Sequence, residues 1–126
     1  MGAGALGTVY GAALARAGAD VELLARRPHA EAITRAGRVI VEGVDGRWEA
    51  QLAAEWRPQR GRPADIVVVL TKAHDTEAAL AAIDHVRDGV RAAVSFQNGI
   101  EKDAVLAAWC GAERVLGGTS MVGATL

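Results

Sequence analysis

The first segment whose residue types and spacing can do chemistry is Gly2-x-Gly4-x-x-Gly7, at the head of a chain of 126 residues. In such a loop the first glycine makes a tight turn and the second lets the backbone approach a pyrophosphate. The third lets the following helix pack on a strand. The helix start then presents free N–H groups and a positive dipole end to the phosphate. Gly2, Ala3, Gly4, Ala5, Leu6 and Gly7 are therefore candidate cofactor-binding residues. A merely flexible glycine-rich terminus has the same spacing, but a helix and then a strand follow at the distances nucleotide binding requires. Gly11 extends the glycine spacing by one turn. A mid-helix glycine costs about 1 kcal/mol against alanine, so close helix–sheet packing is expected there.

The end of the second strand of such a fold selects the cofactor. A carboxylate at that point accepts from the ribose 2′-OH of NAD. This chain has Arg26, followed by Arg27. A guanidinium matches the 2′-phosphate of NADP in geometry and charge, although a solvated surface arginine pair is common. Lys72 lies just past the apolar run Ile66-Val-Val-Val-Leu70, and strand C-terminal ends line the ligand crevice of these sheets. It can meet a phosphate or the adenosine end, or be an ordinary exposed lysine. His74 reads as part of a helix start and Asp75 as an N-cap. Gln97-Asn98-Gly99 sits at another strand end. The Asn98 amide can hydrogen-bond a substrate hydroxyl or a nicotinamide ribose, or can simply belong to an Asn-Gly turn.

The elements that must position these residues alternate along the chain. Residues 8–17 are good helix formers closed by Gly18. Residues 21–25 read as a short strand. Pro28 opens a helix over roughly 29–36, stopped by Gly37. Residues 39–41 and 48–52 flank Gly43-Val-Asp-Gly46 and predict a hairpin. Residues 55–64 carry two prolines and read as a loop. Residues 65–70 predict a fully buried parallel strand, and Asp75 caps a helix over about 76–86. A strand over 90–96, a helix over 100–109 and a strand from 115 complete the pattern, with 121–126 as a further strand. This order predicts an α/β fold, a Rossmann-like doubly wound, mostly parallel sheet.

Composition bounds the rest. Hydrophobic residues make up 51% and charged residues 23%, so disorder is not the main state. The formal charge of −1 gives no basic bias toward nucleic acid or an anionic membrane. Cys110 is the only cysteine, which excludes an internal disulfide and a cysteine-based zinc site. His29, His74 and His85 are scattered, and no metal site is expected. With no basic leader before an apolar segment and no membrane-length apolar run, a cytoplasmic protein is expected. Oligomeric state is not encoded in any pattern of the sequence.

Taken together, Gly2-Ala-Gly-Ala-Leu-Gly7, the Arg26 position, Thr71-Lys-Ala-His-Asp-Thr76, Ser95-Phe-Gln-Asn-Gly-Ile100 and Leu116-Gly-Gly-Thr119 resemble the NADP domain of the ketopantoate reductase (2-dehydropantoate 2-reductase) family. The resemblance covers essentially the whole chain. It implies NADPH-dependent reduction of ketopantoate to pantoate, in pantothenate biosynthesis. By position, the Gly2–Gly7 loop would hold the pyrophosphate, Arg26 the 2′-phosphate and Lys72 the adenosine end. Asn98 would touch nicotinamide ribose and substrate, and Ala124 would lie in the last stretch that contacts cofactor. Two departures follow. The usual first strand is lacking, and so is the family's helical substrate domain with its general-acid lysine. The expectation is therefore an incomplete NADP-binding domain over 1–126, with negligible turnover alone. Losing about four buried aliphatics at roughly 1.5–3 kcal/mol each rivals a domain's whole stability of ~5–15 kcal/mol, so the chain is expected to be unstable without that strand. A non-catalytic NADP-binding module, or a related dehydrogenase of another small 2-keto acid, are the competing functions.

Overall fold

The computed structural model describes residues 1–44, 46–58 and 62–126. The chain divides into two compact units: Gly2–Arg57 with Gly123–Leu126, and Met1 with Pro58–Val122.

In the unit that contains Gly2–Arg57, helix α1 spans Ala5–Arg16, strand β1 Leu23–Leu24 and helix α2 Arg27–Ala36. Strands β2 (Arg38–Gly43) and β3 (Gly46–Gln51) form an antiparallel hairpin whose register closes at Gly43 opposite Gly46. The expected hairpin is thus present, with Asp45 outside the described residues. Pro28 lies in the first turn of α2 and Gly37 ends it in the left-handed conformation, φ 66°. Ala12, Leu23, Ala30, Ile33, Val39, Ala50, Leu52 and Ala54 are the heart of this unit's core. Gly11 is where α1 meets β1: a Cβ there would run into the buried Leu23 side chain. The close packing expected of Gly11 is therefore real, and its cost in helix propensity is offset by letting the helix axis approach the strand.

One strand here is absent from the sequence reading. Ala54–Glu55 forms β4, parallel to β1, where a loop is expected to begin at 55. Its two residues carry no alternation to read. The strand is fixed from outside: Thr34 of α2 donates its Oγ1 proton to Ala54 O at 2.7 Å and accepts from Ala54 N–H at 3.2 Å.

In the second unit, β5 (Ile66–Val69), β6 (Ala92–Ser95) and β7 (Val115–Gly117) form a parallel sheet in that order. Strand β5 is not buried throughout as expected. Val67 and Val69 are buried, while Ile66 is 60% exposed. Side chains alternate between the two faces of a strand, and at Ile66 the other face is uncovered. Met1 pairs with β5 in the manner of a parallel ladder, its N-terminal group donating to Val68 O at 2.7 Å and its carbonyl accepting from Leu70 N–H at 2.9 Å.

Helix α3 (Thr76–Ala82) is preceded by a 3₁₀ turn at Ala73–Asp75 and followed by another over Asp84–Gly89. It is shorter than the expected 76–86 because the chain tightens after Leu80 into i→i+3 bonds, Ile83 N–H to Leu80 O and Val86 N–H to Ile83 O. Asp84 stabilises that turn by accepting from Arg87 at 3.1 Å and from Trp109 Nε1 at 3.2 Å. Helix α4 spans Lys102–Cys110 and stops at Gly111. Residues 121–126 form no strand, contrary to expectation. Ladder bonds need a neighbouring edge, and Val115–Gly117 is the last stretch to find one. No described helix is long and apolar enough to cross a membrane.

Candidate functional site

The glycine loop turns at Gly2, whose φ of 80° is one that a Cβ disfavours. The Gly2 and Ala3 amides both donate to Leu24 O, at 3.0 and 2.9 Å, and the Gly4 amide donates to Gly2 O at 2.8 Å. These three amides are therefore spent in holding the loop. The first turn of α1 is different. Thr8 N–H returns to Gly4 O, whereas the Ala5, Leu6 and Gly7 amides have no partner among the described residues. Gly4 is the N-cap and offers no side-chain acceptor. A Cβ built on Gly4 would meet nothing within 4 Å. Three N–H groups without a described partner thus stand at the positive end of a 12-residue helix, with open space beside Gly4, an arrangement with the donors for a phosphate.

The same unit carries Arg26 and Arg27, which the structure separates. Arg27 is engaged: its Nε bonds Glu31 at 2.7 Å, and its guanidinium lies 5.0 Å from the Trp56 ring centroid. Arg57 stacks on that ring too, at 4.1 Å. Arg26 is exposed, and its guanidinium has no hydrogen bond or ion pair with a described residue. Its backbone serves instead as the N-cap of α2, its carbonyl accepting from His29 and Ala30 N–H at 3.0 Å each. Of the pair, Arg26 is thus the cation left available for an anionic ligand. His29, for which the sequence pattern predicts no role, bonds through Nε2 to the buried Thr8 Oγ1 at 3.0 Å. That contact ties the start of α2 to the first turn of α1. Ala124 is half-buried in an irregular stretch of this unit.

In the other unit Lys72 follows β5, exposed and unpaired among the described residues. Asn98 follows β6, also exposed, and its amide is free of described partners. Asp75 stands at the expected N-cap of α3 but makes no capping bond. The preceding 3₁₀ turn already holds Asp75 in helical φ/ψ, which turns its carboxylate away, and it lies 3.5 Å from His74. Cys110 is buried, with burial raising its thiol pKa and its Sγ donating to Leu106 O, so it is no nucleophile. Lys102 pairs with Asp103 at 2.6 Å. No group of three or more His, Cys, Asp or Glu gathers as a metal centre among the described residues.

The residue that sequence reasoning underrates is Gln97. Its Nε2 donates to Thr71 O (2.7 Å), Thr71 Oγ1 (3.0 Å) and Thr76 Oγ1 (2.6 Å), and its Oε1 accepts from Ser95 Oγ at 2.9 Å. The partners come from two strand ends separated by some two dozen residues, so no local pattern reveals them.

Short parallel strands, helices packed beside them and a glycine turn at the first helix define a Rossmann-type α/β domain. Solved structures share it. A D-mandelate dehydrogenase with NADH and anilino(oxo)acetate matches with a TM-score of 0.88 over 99% of this chain and 41% of its own, and at 24% identity the likeness is one of fold. The 2-dehydropantoate 2-reductase of Geobacter metallireducens GS-15 matches with a TM-score of 0.85 at 32% identity, over 98% of this chain and 40% of its own. Among sequences, the 2-dehydropantoate 2-reductase of Archaeoglobus fulgidus is 39% identical over all of this chain, and that of Pyrococcus abyssi 36% over 98% of it. The model of the family "Ketopantoate reductase PanE/ApbA" matches residues 1–126, and the chain belongs to that family. It spans about 40% of the length of these curated relatives.

Proposed function

We propose that the chain is the cofactor-binding part of an NADPH-dependent 2-dehydropantoate 2-reductase, a cytoplasmic enzyme that reduces ketopantoate to pantoate. The observation that carries this reading is the trio of unspent amides, Ala5, Leu6 and Gly7, bordering open space at Gly4 in a chain of this family. In the proposed arrangement these amides hold the pyrophosphate, with Gly2 and Ala3 shaping the loop. The unpaired Arg26 guanidinium holds the 2′-phosphate, which favours NADP(H) over NAD(H). Lys72 meets the adenosine end and Ala124 adds a contact of its own. Asn98 donates its amide N–H to the substrate or to the nicotinamide ribose and so orients the reacting carbonyl.

The nicotinamide, when bound, supplies hydride. Proton donation to the substrate oxygen falls to none of these groups. Lys102 is tied to Asp103, and general acid catalysis needs a donor within hydrogen-bond reach of that oxygen. As the family resemblance implies, the general acid is proposed to lie outside these 126 residues.

Steady-state assay of the protein that carries this chain, with ketopantoate and other small 2-keto acids and with both NADPH and NADH, tests the reading. Ketopantoate with NADPH is expected to give the highest kcat/KM. A higher value for another keto acid, or for NADH, overturns it.

A further inference from the structure

The side-chain network around Gln97 does more than fill space, because both chain segments it fastens carry a residue of the proposed site. Lys72 stands between Thr71 and Thr76, and Asn98 follows Gln97 directly. Thr76 and Ser95 are buried, at 3% and 0% exposure, while Lys72 and Asn98 are exposed. The orientation of the Gln97 amide is dictated by chemistry. Thr71 O can only accept, so the NH₂ must face it, and the Ser95 hydroxyl then donates to Oε1. The Ser95 Oγ in turn accepts the Gln97 backbone N–H at 3.2 Å, which fixes the backbone from which Asn98 emerges. On the other side, Thr76 Oγ1 lies 3.3 Å from Thr71 Oγ1, so both ends of the 71–76 turn close on one amide. A single side chain thus sets the path of the Lys72 turn and the departure of the Asn98 turn. An apolar side chain at 97 would free both turns and strand the Thr71 carbonyl without its donor.

We infer that Gln97 is a positioning residue for cofactor binding, acting through Lys72 and Asn98 by holding the 71–76 and 97–99 turns in one fixed arrangement. The inference rests on the reading of Lys72 as a cofactor contact. A double-mutant cycle tests it in the full chain. NADPH affinity is measured by fluorescence titration for the parent, Gln97→Met, Lys72→Ala and the double variant, each checked for a cooperative thermal melt. Gln97→Met is expected to weaken NADPH about ten-fold in the parent background and by a clearly smaller factor once Lys72 is gone, the remaining loss acting through Asn98. Equal losses in the two backgrounds, or no loss in either, overturn the inference, because a purely structural glutamine acts independently of Lys72. If Lys72→Ala alone leaves affinity unchanged, the cofactor reading of Lys72 fails and this inference fails with it. Should Gln97→Met not fold, the same cycle with Thr76→Val in its place decides by the same criterion. Thr76→Ser, which keeps the hydroxyl, is expected to bind as the parent does, and a loss of affinity there also counts against the inference.

Discussion

At Gly4 the backbone has φ −75°, a value open to any L residue, and a Cβ there would meet nothing within 4 Å. Folding therefore tolerates a side chain at this position, whereas a phosphate approaching the Ala5–Gly7 amides does not. Gly4→Ala is expected to change unfolding free energy by less than about 0.5 kcal/mol while weakening NADPH at least about ten-fold. Urea melts and a binding titration on the same protein check the pair of outcomes. Arg26 gives the complementary test. Charge-assisted hydrogen bonds are worth about 1.5–3 kcal/mol each, so Arg26→Asp is expected to weaken NADPH by roughly ten- to hundred-fold and NADH far less. Equal losses for both cofactors would contradict the 2′-phosphate role. The candidate motif residues stand out in the sequence because their chemistry is local: glycines two and three residues apart, a cation at a strand end. Position singles out Arg26 in the sequence, but the reason Arg27 is not available is tertiary. That depends on Glu31 and Trp56, which capture Arg27.

The elements that were legible are those with a local cause. The β2–β3 hairpin follows from its glycine turn, and α2 from Pro28 at its start and Gly37 at its end. Strand β4 has only a tertiary cause, since Thr34 and β1 satisfy its backbone groups. The truncation of α3 likewise depends on Asp84 being held by Arg87 and Trp109. Gly118, just past β7, shows how tightly the parallel sheet is closed. A Cβ there would lie 2.7 Å from Val94 Cγ2 and 2.9 Å from the Phe96 ring. Val94 is β-branched and stiff at χ1, so the neighbour cannot easily give way. Gly118→Ala is expected to destabilise the chain by about 1–3 kcal/mol, seen as a lower urea midpoint at unchanged m-value. A midpoint equal to the parent's would show that the sheet end is looser than its geometry implies.

For the molecule as a whole, each unit has its own set of buried side chains: Leu23, Ile33 and Leu52 in one, Val69, Leu80 and Leu106 in the other. Fluorescence titration of the folded chain with NADPH and NADH reads out the proposed NADP-selective site on the Gly4 loop and Arg26. Saturable NADPH binding at least about ten-fold tighter than NADH is the expected result. No binding by a chain that melts cooperatively, or equal affinity for the two cofactors, would contradict the account.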